Sequence, residues 1–144
     1  MVDVANVMGA RPDGWWRDRA GAALRLSREV IALAGRARVG DAPVSARGWV
    51  LVLEGRSRAA AEAAREAAEA AATTPVESGE RGDAGLVRVV SAPGSGDDAI
   101  VGVVAEVVAS GETCLVVTAD RELRQRCEAR GAATAGPGWL LGLL

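Results

Sequence analysis

Trp49-Val50-Leu51-Val52-Leu53 runs without a polar residue from Gly48 to Glu54-Gly55. A strand half exposed to water alternates apolar and polar residues, whereas an unbroken aliphatic run fits a strand covered on both faces, as in parallel sheets. The carboxylate of Glu54 stands where that strand ends. Outward from this unit the pattern recurs. Upstream, Val2 to Val7 reads as a first strand and Met8 to Asp13 as a loop containing Gly9 and Pro12. Asp13 is placed to cap a helix from Trp15 to Ala34, because Ala20, Ala23, Leu24, Ser27, Val30, Ile31 and Ala34 share one face and Gly35 can stop it.

Downstream, Arg58 to Ala72 is an Ala-rich helix with Arg58–Glu62 and Arg65–Glu69 pairs, and the polar stretch Thr73 to Ala84 is a loop. Leu86–Val90 is a third strand, Asp97–Ser110 a helix and Cys114–Val117 a fourth strand. Asp120 opens a helix that runs to Arg130 and stops at Gly131; Ala132–Ala135 is a short fifth strand and Gly138–Leu144 a last helical turn. Strands alternating with helices imply right-handed crossovers. The expected fold is a single α/β doubly wound domain over residues 1–144, with a mostly parallel sheet of about five strands and helices on both faces.

Composition limits the chemistry. All 17 basic residues are Arg, and the absence of His removes any imidazole base or ligand. The core is aliphatic, with no Phe or Tyr. A net charge of −2 argues against a protein that coats nucleic acid by charge alone, but leaves room for an acidic pocket with an Arg rim. Cys114 and Cys127 lack metal-site spacing and read as buried thiols. The chain has no signal-peptide pattern, and its longest apolar stretch, Ala99 to Ala109, is interrupted by Glu106, so a soluble cytoplasmic protein with no membrane partner is expected.

The acids carry the functional signal. Asp3 lies on the first strand with Asn6 three residues later. Glu54 ends the second strand, Asp97 and Asp98 follow the third, and Asp120 ends the fourth in Val117-Thr118-Ala119-Asp120. In an open parallel sheet the carboxyl edge is where ligands bind. Carboxylates gathered there repel one another unless a cation neutralises them, and oxygen donors without His suit Mg²⁺ or Mn²⁺. Two readings stand for Asp97 and Asp120, helix cap or ligand. Asp3, in an apolar strand, fits a site better, because an unpaired buried carboxylate is costly. Glu54 is balanced between the two readings, and Asp98 is a solvated neighbour or a supporting group. Thr118 is a strand-end hydroxyl able to serve Asp120 or a ligand; Asn6 either orients Asp3 or satisfies a turn.

Three segments, Val2-Asp3-Val4-Ala5-Asn6-Val7, Gly96-Asp97-Asp98-Ala99-Ile100 and Val116-Val117-Thr118-Ala119-Asp120-Arg121-Glu122-Leu123, resemble in order the PIN-like nuclease superfamily, above all its NYN-domain, YacP-like branch. The resemblance extends to the late Gly131-Ala132 turn and covers nearly the whole chain. It implies a metal-dependent endoribonuclease that hydrolyses RNA phosphodiester bonds. In that reading Asp3, Asn6, Asp97, Thr118 and Asp120 form the catalytic set, and Asp3, Asp97, Asp98, Asp120 and Glu54 the Mg²⁺ or Mn²⁺ ligands. The alternative is a non-catalytic RNA- or nucleotide-binding module with the same fold. The chain departs from the family in its very short first strand and in lacking Lys. Arg11, Trp15, Arg17 and Arg19 are candidate contacts to single-stranded RNA, together with Arg56 and Arg58, which otherwise are solvated, and with Arg121, which follows Asp120 closely enough to balance the acidic pocket; Trp16 beside them is either a contact or part of a dimer surface. Trp49 and Trp139 are assigned to packing, and a homodimer is expected from the family and the apolar Trp139-Leu140-Leu141. A phosphatase or nucleotide hydrolase is disfavoured, because Ala5 occupies the second position of an Asp-x-Asp pair and no Gly-Lys-Ser loop exists.

Overall fold

The computed structural model describes residues 1–35, 48–73 and 86–144. Their strands are β1 (Val2–Asp3), β2 (Gly48–Leu53), β3 (Leu86–Ser91), β4 (Leu115–Val117) and β5 (Ala133–Ala135). All pair in parallel, in the order β3-β2-β1-β4-β5. The helices are α1 (Val4–Gly9), α2 (Arg19–Ala34), α3 (Ala61–Thr73), α4 (Gly96–Ala109), α5 (Arg121–Glu128) and α6 (Pro137–Leu141), with a 3-10 segment at Gly55–Ala60 before α3. Of the expected loop at 73–84, residues 74–84 lie outside the described residues.

Alternation along the strands divides the core in two. Leu51, Leu53, Val87, Val89 and Val117 pack with α1, α2 and α6. Val50, Val52, Val90 and Val116 face the other way, against Ile100, Val101 and Val104 of α4 and Leu123 and Cys127 of α5. Both faces of the sheet are therefore covered, an arrangement compatible with doubly wound folds. The run that predicted a two-sided strand is two-sided in fact. Leu51 and Leu53 are fully buried, and truncating either to Ala costs about 2–5 kcal/mol. Among the described residues no helix is long and apolar enough to cross a membrane.

Three expected boundaries are corrected. The first strand does not reach Val7; it ends at Asp3, whose carboxylate accepts the Asn6 N–H at 3.2 Å and starts α1. Val4, Val7 and Met8 are buried at i, i+3 and i+4, a helical period inside what reads as a β-run. The second helix begins at Arg19 rather than Trp15, with Asp18 accepting the Gly21 N–H at 2.8 Å. Asp13 instead holds the Trp15 N–H at 3.2 Å in a local turn, and Gly14, at φ 78°, turns the chain there. The Ala-rich helix is preceded by the 3-10 segment because Ser57 closes the turn: its hydroxyl donates to the Glu54 carbonyl at 2.6 Å and accepts the Glu54 N–H at 3.1 Å.

Gly35 caps α2 as expected. Trp49 is buried, whereas Trp139, Leu141, Leu143 and Leu144 lean half-buried on the first core cluster. Cys127 is buried in α5 and Cys114 half-buried just before β4; burial pushes both thiols up from their ordinary range.

Candidate functional site

Parallel register fixes the centre of the site. Val2 lies opposite both Leu51 and Val117, which sets Asp3 beside Val52 on one side and beside Thr118 on the other. The Thr118 hydroxyl donates to Asp3 Oδ2 at 2.9 Å and accepts the Asp120 N–H at 3.2 Å. One buried hydroxyl thus joins the first acid to the loop that carries the last. Asn6 acts differently from expectation. Its backbone N–H holds Asp3, while its side-chain Oδ1 accepts the Ala119 N–H at 2.7 Å and fastens α1 to the end of β4.

Glu54 reaches across to the third acid. Its Oε2 accepts the Gly96 N–H at 2.6 Å, the first backbone donor of α4. Ser95 occupies the cap position of that helix without a side-chain bond, so Glu54 supplies the missing acceptor from another strand. A Cβ on Gly96 would lie 2.5 Å from that oxygen, which explains a glycine at this position. Asp97, one residue on, does not cap its helix and makes no hydrogen bond among the described residues. Asp120 does cap, accepting the Leu123 N–H at 3.0 Å through Oδ1, which leaves Oδ2 open.

Electrostatics tie the four acids together. Asp3 is pushed up to about 6 from 3.8, first by burial; the bonds from Thr118 and Asn6 oppose this, and the charges of Glu54 and Asp97 add to it. Asp97 is also raised, by burial first, then by Asp120 and Glu54, with Arg126 opposing and Asp98 adding. The charges of Glu54 and Asp97 thus bear on Asp3, and those of Asp120 and Glu54 on Asp97, near the carboxyl ends of β1, β2, β3 and β4. This neighbourhood surrounds β1, where the strand order reverses direction.

Comparison with protein-family models, with curated proteins and with solved structures finds no match.

The other expected residues divide by what they touch. Asp98 lies off the cluster, paired at 2.7 Å with Arg126 of α5. Arg126 was not singled out from the sequence; the packing of α4 on α5 brings it to Asp98, 28 residues away, and no local pattern announces it. Arg121, expected to balance the acids, is exposed and makes no ion pair among the described residues. Arg58 is engaged by the fold, with Nε on Ser91 Oγ at 3.3 Å and Nη1 on the Pro93 carbonyl at 3.4 Å, and so braces the turn leading to Asp97. Arg11 pairs with Glu29, and Arg56 is exposed. Trp15 is half-buried, with the Arg19 guanidinium 5.2 Å from its ring centre; Trp16 and Arg17 are exposed.

The donor set suits a hard divalent cation: four carboxylates, of which Asp97 and Asp120 Oδ2 keep uncommitted oxygens among the described residues. As the side chains stand, no group of three or more Asp, Glu or Cys among the described residues closes on one point for an ion. The charges are gathered, but their oxygens have not converged.

Proposed function

We propose that the protein is a metal-dependent endoribonuclease of the PIN-like, NYN-domain type, acting at the carboxyl edge around β1. The observation that carries this reading is the placement of Asp3, Glu54, Asp97 and Asp120, four carboxylates delivered to one sheet edge, with Thr118 joining Asp3 to the Asp120 backbone, Glu54 bonded to the start of the helix that carries Asp97, and no basic side chain hydrogen-bonded to any of the four among the described residues. Folding raises the energy of the ionised Asp3, and a bound cation is the usual remedy for such an arrangement. The three ordered motifs that resemble the superfamily contain three of these acids.

Asp3, Asp97 and Asp120 would hold Mg²⁺ or Mn²⁺, with Glu54 assisting. When bound, such an ion lowers the pKa of water and stabilises the charge that develops on phosphate. The chain's own residues hold the frame. Thr118 fixes the Asp3 carboxylate and the Asp120 backbone at once. Asn6 locks α1 to Ala119, and Glu54 pins the start of α4 so that Asp97 stands beside it. Arg126 withdraws Asp98 from the cluster and places a positive charge near Asp97.

The second reading is a non-catalytic RNA- or nucleotide-binding module, favoured by the lack of a converged three-acid group among the described residues. Cleavage of a labelled single-stranded RNA, with Mn²⁺ and with EDTA, separates the two. Metal-dependent cleavage by the wild type that disappears in Asp3→Asn supports the nuclease; binding without cleavage by wild-type protein in Mn²⁺ supports the module.

A further inference from the structure

Cys114 and Cys127 are the chain's two cysteines, and the candidate site uses neither. Cys114 stands just before β4, and Cys127 lies in the last turn of α5. Both side chains belong to the core layer between the sheet and helices α4 and α5. The periods of the two elements set them face to face. A strand returns a side chain to the same face after two residues, so Cys114 shares the face of Val116, which packs in that layer. A helix returns one after four residues, so Cys127 shares the face of Leu123, which packs there too. The step from Val116 back to Cys114 is about 6.6 Å, and the step from Leu123 on to Cys127 about 6 Å. Because α5 doubles back along β4 after the short connection 118–120, the two steps run the same way. Hydrogen bonds beyond α5 fix the end point. The Ala132 N–H donates to the Cys127 carbonyl at 3.1 Å, and the next N–H, that of Ala133, donates to the Cys114 carbonyl at 2.8 Å. One dipeptide therefore holds the backbones of both cysteines. Their charges also meet, since Cys114 joins burial in raising Cys127.

We propose that Cys114 and Cys127 are a disulfide-forming pair, closed by a low-molecular-weight disulfide such as oxidised glutathione and reopened by thiols. Cys114 is half-buried where Cys127 is buried, so it meets the oxidant first. Its thiolate attacks one sulfur of oxidised glutathione; that S–S bond breaks and one glutathione thiolate leaves. Cys127, its proton passed to solvent, then attacks the Cys114 sulfur of the mixed disulfide and expels the second glutathione thiolate. Two protein thiols are oxidised, and one oxidised glutathione is reduced to two thiols. Burial keeps both cysteines largely protonated at neutral pH, which slows the exchange without moving its end point. The ring so closed, 114–127, contains β4, Thr118, Asp120 and nearly all of α5. The bridge thus ties the helix that follows the last acid to the sheet at its far end. The proposal does not rest on the ribonuclease reading.

The test uses the wild-type chain, folded, at pH 8.5 in EDTA with an excess of oxidised glutathione. The product is denatured in iodoacetamide and analysed by intact mass and by mapping of non-reduced peptides. The expected product is a monomer lighter than the reduced chain by two hydrogens, unalkylated, with Cys114 and Cys127 in one cross-linked peptide pair. It should melt about 5–10 °C above the reduced protein, because a ring of this length restricts the unfolded chain, and dithiothreitol should reverse the shift. Cys127→Ala is expected to stop at a glutathione adduct on Cys114. Two alkylated cysteines after prolonged incubation, a wild-type product that stays as the mixed disulfide, or a bridge between two copies of the chain would each overturn the proposal. So would a bridge that forms only when urea is present during oxidation, because the folded chain would then hold the two sulfurs apart.

Discussion

Asp3→Asn should make the metal-free protein more stable at neutral pH, and the gain can be worked out. The Asp3 carboxyl is pushed to about 6 against an ordinary 3.8, chiefly by burial. At 1.36 kcal/mol per pH unit, the ionised carboxylate destabilises the fold by about 3 kcal/mol at pH 7 and above. The folded-state value lies above the unfolded one, so below pH 3.8 the penalty is absent. It accumulates as pH rises from about 3.8 to about 6 and is constant beyond. An amide retains the acceptor for the Asn6 N–H, and the Thr118 hydroxyl must turn to accept from it, which takes back part of the gain. The expected net stabilisation in EDTA at pH 7.5 is about 1–3 kcal/mol, near 2–4 °C in Tm per kcal/mol for a chain of this size. Urea denaturation of wild type and variant across pH 3.5–8 measures it, because the difference between the two curves cancels the other titrating groups. The difference should start near zero, grow between pH 4 and 6 and then level. A flat difference, or a variant less stable at pH 7.5, would refute the electrostatic account of the site.

Other perturbations probe the frame around Asp3. Gly96→Ala puts a Cβ 2.5 Å from Glu54 Oε2 and should displace that carboxylate, losing its charge-assisted bond for about 1–2 kcal/mol despite the better helix former; an unchanged Tm would contradict the tight approach. Thr118→Val removes a bridging hydroxyl and leaves the Asp120 N–H short of an acceptor, a loss of about 1–3 kcal/mol in urea denaturation, and the Asp3 titration should move to higher pH because a bond that lowers it is gone. Asp18→Ala should cost about 1 kcal/mol as the loss of the α2 cap, and Asp13→Ala clearly less; the reverse order in thermal melts would restore the longer helix expected from the sequence.

What was legible in the chain followed from patterns that need no partner. The run Val50–Leu53 announces a strand buried on both faces, and the acids just after such runs announce the edge at which they gather. The misreadings arose where two local patterns overlap. Val2 to Val7 is apolar enough for a strand, yet Val4, Val7 and Met8 also keep a helical period, and the single bond from the Asn6 N–H to Asp3 decides between them. Asp13 and Asp18 both suit a cap, and the turn at Gly14 decides for the second. Contacts made across the fold left no mark at all. Glu54 capping α4 spans 42 residues, and Arg126 reaches Asp98 only because α5 packs on α4. Adjacent tryptophans show that one ring must be less buried than its neighbour, but only the packing of Trp15 toward Gly9 identifies Trp16 as the open one.

The most direct test of the central claim is calorimetric titration of Mn²⁺ into wild-type protein and Asp120→Asn. Asn is as good a helix cap as Asp, so α5 keeps its start and the comparison isolates the charge. The account predicts saturable binding by the wild type and its loss in the variant, with the variant's thermal midpoint in EDTA no lower than that of the wild type. Equal binding by both, or no binding by either, would mean that the four carboxylates cap helices and brace strands without holding an ion.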